Sequence, residues 1–123
     1  MSFDCTIEQQ GDLIVVAPEG EIDMANAALF REVLRQVVER KNGGRIVVDM
    51  RDVTFLDSSG LGMLVAAQRA ATVKGIELRL ADPNPIVRMT LEVANLADLL
   101  IGVGQRRTTK SSVIPDLREP NGV

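Results

Sequence analysis

The stretch Ile46-Val47-Val48-Asp49-Met50, followed shortly by Val53-Thr54-Phe55-Leu56-Asp57-Ser58-Ser59-Gly60-Leu61-Gly62, carries most of what the chain says about its fold. Ile46 to Met50 is a short apolar run of the length and β-branched character of a buried strand. Arg51 to Leu56 reads as a connection that can extend it. Leu61, Leu64, Val65, Ala67, Ala70 and Ala71 then recur at helical spacing, and Gly75 stops that helix after Lys74. A strand feeding a helix in this way is the repeating unit of an α/β fold.

Outward from this unit the same alternation continues. Downstream, Ile76, Leu78 and Leu80 alternate with Glu77 and Arg79, as a half-exposed strand does. Asp82-Pro83-Asn84-Pro85 is a loop with Pro85 placed for the first helical position, and Ile86 to Val93 continues as a helix. Leu99 to Val103 reads as a short last strand. Upstream, Phe3, Cys5 and Ile7 alternate as in an edge strand, Gly11-Asp12 signals a hairpin turn, and Leu13 to Ala17 is a more buried strand. Pro18-Glu19-Gly20-Glu21-Ile22-Asp23 leads into a helix whose Phe30, Val33, Leu34, Val37 and Val38 share one face, closed by Asn42-Gly43-Gly44. The expected order is β-β-α-β-α-β-α-β, a mixed, mostly parallel sheet of about five strands with alternating helices. Residues 1–103 form the expected domain. From Gly104 to Val123 the apolar pattern fails, and a polar, flexible tail is expected.

Composition narrows the chemistry. The chain has 123 residues with 46% hydrophobic but only 2% aromatic, and neither Trp nor Tyr, so Val, Leu, Ile, Met and Ala must build the core. A net charge of −3 and the scarcity of stacking rings disfavour nucleic acid as a partner. The basic cluster Arg106, Arg107 and Lys110 falls in the polar tail. Histidine is absent, which removes the commonest general base and metal ligand; neither an enzyme nor a cofactor or metal is expected. Cys5 has no second cysteine to pair with and reads as a small strand residue in a reducing cytoplasm. No apolar run reaches the length of a membrane span, so no membrane insertion is expected.

Two acidic corners follow two of the strands: Gly20-Glu21-Ile22-Asp23 and Asp57-Ser58-Ser59. If those strands are parallel neighbours, both corners sit on the rim at the strands' carboxyl ends, the functional edge of such sheets. Asp57 or Ser58 can cap the following helix. Gly60 and Gly62 keep its first turn bare enough for a partner backbone to approach. A serine at a helix start also lies at the positive end of the dipole, where an added anion is tolerated.

These segments together, Gly20 to Asp23, Ile46 to Met50 and Val53 to Gly62, resemble the STAS domain of bacterial anti-sigma factor antagonists, over about Phe3 to Val103. The resemblance implies a binding switch. An unphosphorylated antagonist binds an anti-sigma factor that is also an ATP-dependent serine kinase, and so frees the sigma factor. The kinase phosphorylates the first serine of the motif, Ser58 here, and a serine phosphatase reverses it. Glu21, Asp23, Asp57, Ser58, Ser59, Gly60, Leu61 and Gly62 then form the partner-binding surface, on a monomer or weak homodimer. Many relatives carry a further amphipathic helix after the last strand; here Val113, Ile114 and Leu117 are interrupted by Pro115, which departs from that pattern.

Three rivals can be set against this. STAS domains also serve in stressosome-type complexes and as transporter subunits. A receiver-like phospho-acceptor domain would use Asp49 or Asp57, but it needs an acidic pair after the first strand, which Glu19 and Glu21 match poorly, and a lysine near its last, where none lies between Lys74 and Lys110. A serine hydrolase would need a nucleophile elbow and a histidine base, and the chain has neither.

Overall fold

The structure, a computed structural model, describes residues 3–101. Elements follow in the order β1 (Phe3–Gln10), β2 (Leu13–Ile22), α1 (Ala27–Arg40), β3 (Arg45–Asp49), β4 (Val53–Leu56), α2 (Ser58–Val73), β5 (Glu77–Ala81), α3 (Pro85–Val93) and α4 (Ala97–Leu100). The fold is mixed α/β with a five-stranded, mostly parallel sheet. β1 and β2 form the antiparallel hairpin at Gly11-Asp12, with Gly11 in the left-handed region that such turns require.

β2 organises the sheet. Its first half, Leu13 to Val16, pairs in parallel with Arg45 to Val48 of β3, and its second half, Gly20 to Ile22, with Val53 to Leu56 of β4. β5 flanks β3 on the far side. The chain leaves β3 at Met50, whose N–H donates to the Ala81 carbonyl at 2.8 Å, turns, and re-enters the sheet one step further along β2. Val53 to Leu56 is therefore a strand in its own right rather than a connection.

Pro18 does not end β2, although its sequence context suggested a break there. Gly20 donates its N–H toward the β4 side, to Asp52 O at 3.0 Å, so Pro18, two residues earlier, has its backbone nitrogen on that same edge. It falls between the last β3 pair and the first β4 pair, where no ladder hydrogen bond is forgone.

The expected last strand at Leu99 is a correction. Ala97 to Leu100 is one turn of helix, with Leu100 and Ile101 fully buried. Asn95, in the left-handed region at φ 63°, reverses the chain after α3, and the Leu96 N–H bonds back to Leu91 O. The apolar pair thus plugs the core from a turn of helix and pairs with no strand among the described residues. Residues from 102 onward, including the polar segment and its basic cluster, lie outside the described residues.

Alternation along the strands puts Val16, Ile46, Val48, Leu78 and Leu80 on one face, all fully buried under the helices. Phe30, Leu34, Val37 and Val38 of α1 and Leu64 and Ala71 of α2 complete that core, with Val87 and Leu91 of α3. Phe30 meets Phe3 with ring centroids 5.6 Å apart, so the two rings anchor α1 to the edge hairpin. Cys5 is half-buried beside them; burial, and then the Asp4 carboxylate, push its thiol up to about 11. The Lys74 ammonium donates to the Val38 and Glu39 carbonyls at 2.8 Å each, closing the C-terminus of α1 from the end of α2. No helix among the described residues is long and apolar enough to cross a membrane.

Candidate functional site

Helix α2 begins at Ser58 because Asp57 caps it. Asp57 is extended, and one carboxylate oxygen accepts from Ser59 N at 2.9 Å and Gly60 N at 3.1 Å. Its carbonyl accepts from Leu61 N at 3.0 Å. The cap is therefore complete without either serine. Among the described residues neither the Ser58 nor the Ser59 hydroxyl has a hydrogen-bond partner, and Ser58 is exposed. The Ser58 N–H is the one first-turn amide left open, since the carboxylate of Asp57 occupies the next two. A phosphate on Ser58 would thus meet a partly filled helix end. Its tolerance rests on exposure and the dipole rather than on a ring of free amides.

The two glycines of the motif have different duties. Gly60 is buried; a Cβ there would stand 2.5 Å from Leu56 Cδ1 and 2.8 Å from Ile22 Cγ2. Bareness at Gly60 lets the helix start press against β2 and β4. Gly62 is exposed, and a Cβ there would meet nothing within 4 Å. Packing does not demand that glycine.

The second corner lies beside the first. Glu21 and Ile22 pair with Phe55 and Leu56, and the Asp57 N–H donates to Ile22 O at 3.2 Å, so the ends of β2 and β4 are stitched together. Asn26 ties the corner into a knot: its amide donates to Glu21 O at 2.6 Å while its side-chain oxygen accepts from Asp23 N at 2.9 Å. Asp23 Oδ1 accepts from Ala25 N, and the Asp23 carbonyl accepts from Asn26 N and Ala27 N. Glu21 is exposed and Asp23 half-buried. All eight sequence-predicted residues thus fall on one rim, at two adjacent strand ends.

Hydrophobic surface flanks this rim on both sides. Toward α3, a cleft of about 400 Å³ is lined by Leu56, Asp57, Ser58, Leu61, Met89 and Val93. Toward α1, a cleft of about 330 Å³ is lined by Met24, Ala28, Arg31, Ser59, Gly62 and Ala66. Met24 is 78% exposed, Met89 61% and Val93 81%. Met24, Met89 and Val93 are absent from the sequence-predicted set. The available signal was in α3, which carries apolar residues on both faces: Val87 and Leu91 are buried, so Ile86, Met89 and Val93 at i, i+3 and i+7 remain outside. Such a paired exposure beside polar groups is the mark of an interaction surface.

Comparisons with known proteins fit this geometry. The STAS domain family model matches residues 4–113. An anti-sigma F factor antagonist of Paenibacillus polymyxa is 26% identical over 81% of this chain and 86% of its own length. A STAS-domain containing protein of Pseudomonas aeruginosa is 33% identical over 80% of this chain and 96% of its own length. The crystal structure of an anti-sigma factor antagonist from Mycobacterium paratuberculosis superposes with a TM-score of 0.68 at 26% identity, covering 80% of this chain and 83% of the other. With its β2–β4 rim, its acid-capped α2 and a family match across nearly all the described residues, the chain belongs to the STAS domain family.

Proposed function

We propose that the chain is an anti-sigma factor antagonist, a non-enzymatic binding switch of the cytoplasm. In its unmodified form it docks an anti-sigma factor of the serine-kinase type through the rim around Ser58 and so releases the sigma factor. Phosphorylation of Ser58 ends binding, and a serine phosphatase restores it. The relatives named as antagonists support the class of function. The observation that carries the site is the division of labour at α2: Asp57 alone caps the helix, leaving the exposed Ser58 hydroxyl unused by the fold. The proposed docking surface comprises Glu21, Asp23, Asp57, Ser58, Ser59, Leu61 and Gly62, widened by Met24, Met89 and Val93, while Gly60 sets its shape from below. Residues 1–103 would then suffice for binding, with the segment from Gly104 as an appendage.

The energetics favour a switch at the interface. Phosphate brings roughly −1.5 to −2 charges to the centre of the proposed docking surface. A like charge on the partner about 4 Å away costs roughly 4 kcal/mol at an effective dielectric near 20. An unmatched charge buried in an interface costs about 2–5 kcal/mol. The helix dipole returns only about 0.3–1 kcal/mol, and it does so with or without the partner. The fold keeps its shape while the complex loses affinity. Incubation with a candidate anti-sigma kinase and ATP, followed by mass-spectrometric mapping, tests the assignment: acid-stable phosphate on Ser58 is expected. Phosphate on a residue of the polar segment, or an acid-labile acyl phosphate on Asp57, contradicts it.

A further inference from the structure

The helices cover one face of the sheet; no helix among the described residues covers the other. Leu13, Val15 and Ala17 of β2 and Val47 of β3 alternate with the core positions and lie on that open face. None of the four packs against the core, and all are only partly buried. They form an apolar stripe along the middle of a face that polar residues would ordinarily line.

Beyond Ala17 the face turns acidic. Asp4 and Glu19 stand in direct register on the same side, and Asp52 joins them around a cleft of about 410 Å³. All three carboxylates are exposed, and none has an ion pair among the described residues. Arg51, the cation next to Asp52 in sequence, is already held by Asp49 at 2.7 Å. From Glu19 back to Leu13 the face therefore presents unmatched acids first and an apolar run second.

The chain beyond Ile101 carries the complementary order. Gly102 to Ser112 contains Arg106, Arg107 and Lys110 and no acidic residue, and Val113, Ile114 and Leu117 follow. The described residues end at α4, which packs on β5, the strand at one edge of the sheet. Nine residues lead from Ile101 to Lys110 and span up to about 30 Å. Two strand spacings from β5 to β2 take roughly 10 Å of this, and the passage from the helix layer to the open face roughly 10 Å more. Val15 lies four residues from Glu19, and Ile114 four from Lys110. A lysine seated among the acids thus brings the apolar residues over the stripe.

We infer that the open face is the seat of the chain's own C-terminal segment. Arg106, Arg107 and Lys110 meet Asp4, Glu19 and Asp52, and Val113, Ile114 and Leu117 lie along Leu13, Val15 and Ala17. A second copy of the sheet would bring the same acids to this face, whereas the segment brings cations. Its tether holds it near the face at an effective concentration of about millimolar, so a few contacts are enough. The clefts beside Ser58 open among the helices and stay free. The inference is independent of the function proposed for them.

Carbodiimide coupling of the full chain at micromolar concentration tests it, because the reagent joins an amine to a carboxylate only where the two are in contact. Lys110 is the one lysine beyond Ile101, and Lys41 and Lys74 are engaged with backbone carbonyls. Mass-spectrometric mapping of the single-chain product should find Lys110 joined to Asp4, Glu19 or Asp52. The yield should fall severalfold in 1 M salt, where charges are screened within about 3 Å. Glu19→Arg, at an exposed position, should cut the links at Asp4 and Asp52 severalfold with an unchanged thermal melt. Ile114→Ser combined with Leu117→Ser should shift the amide resonances of Leu13, Val15, Ala17 and Val47. The inference is overturned if Lys110 links only to Asp116 or Glu119, only to Glu21, Asp23 or Asp57, only between copies, or not at all. It is equally overturned if the β2 amides ignore the apolar substitutions.

Discussion

The corners at Glu21–Asp23 and at Asp57–Gly62 end neighbouring strands, and both are acidic, yet they are built to opposite specifications. In the first, side chains tie the turn down: Asn26 clamps it from both sides, and Asp23 accepts from Ala25 N through its side chain and from Asn26 N and Ala27 N through its carbonyl. In the second, one carboxylate does all the capping, and two hydroxyls and one amide are left over. The knotted corner holds its shape and offers a fixed charge. The open one leaves the Ser58 hydroxyl, the group proposed to be modified, outside the fold's own hydrogen bonds. A switch of this kind needs both, because a modified residue reports to a partner only against a surface that stays still.

The largest effect expected from breaking this contrast comes at the hydrophobic flank of the open corner. Met89→Glu puts an unmatched charge into the cleft beside Ser58. Binding of the anti-sigma factor should weaken by about 2–5 kcal/mol with an unchanged melting temperature, since Met89 is exposed. Calorimetric titration and a thermal melt together check it. Next comes Gly60→Ala, where the added Cβ collides with Leu56 and Ile22. Overpacking of this order costs about 1–3 kcal/mol of stability, read as a lower denaturation midpoint. Asn26→Ala unties the knotted corner by removing two hydrogen bonds, worth about 1–2 kcal/mol of stability together; its amides should also lose hydrogen-exchange protection locally. The smallest effect is at Gly62→Ala. Nothing in the fold opposes the methyl, so stability should hold or rise by up to about 1 kcal/mol through helix propensity, while affinity for the partner falls. Equal effects of alanine at Gly60 and Gly62 would erase the distinction between them.

Much of this was legible in sequence, and the exceptions share a cause. The apolar periods of α1, α2, β3 and β5 report burial on one face, which composition encodes directly. Both corners could be placed on one rim because parallel strands end on the same side. What could not be read depends on partners in space. Pro18 sits inside β2 only because the neighbouring strand changes there, and Val53 to Leu56 is a strand only because β2 is long enough to be shared. Leu99 and Leu100 are apolar enough for a strand, but after the turn at Asn95 they continue as a turn of helix instead of pairing with the sheet. The same holds at the site. Asp57, Ser58 and Ser59 are all competent caps by type, and only geometry shows that Asp57 does the work. Met89 and Val93 look like core until Val87 and Leu91 are seen to have filled it.

The central claim is that a charge on Ser58 acts on the complex and not on the fold. Ser58→Asp, compared with the unaltered chain by amide-resolved NMR and by titration with the anti-sigma factor, measures both at once. The expected result is a near-native spectrum, with shifts confined to the first turn of α2 and the adjoining β2–β4 rim, and affinity reduced by about a hundredfold or more. Undiminished affinity, or a spectrum changed across the sheet and core, would contradict it.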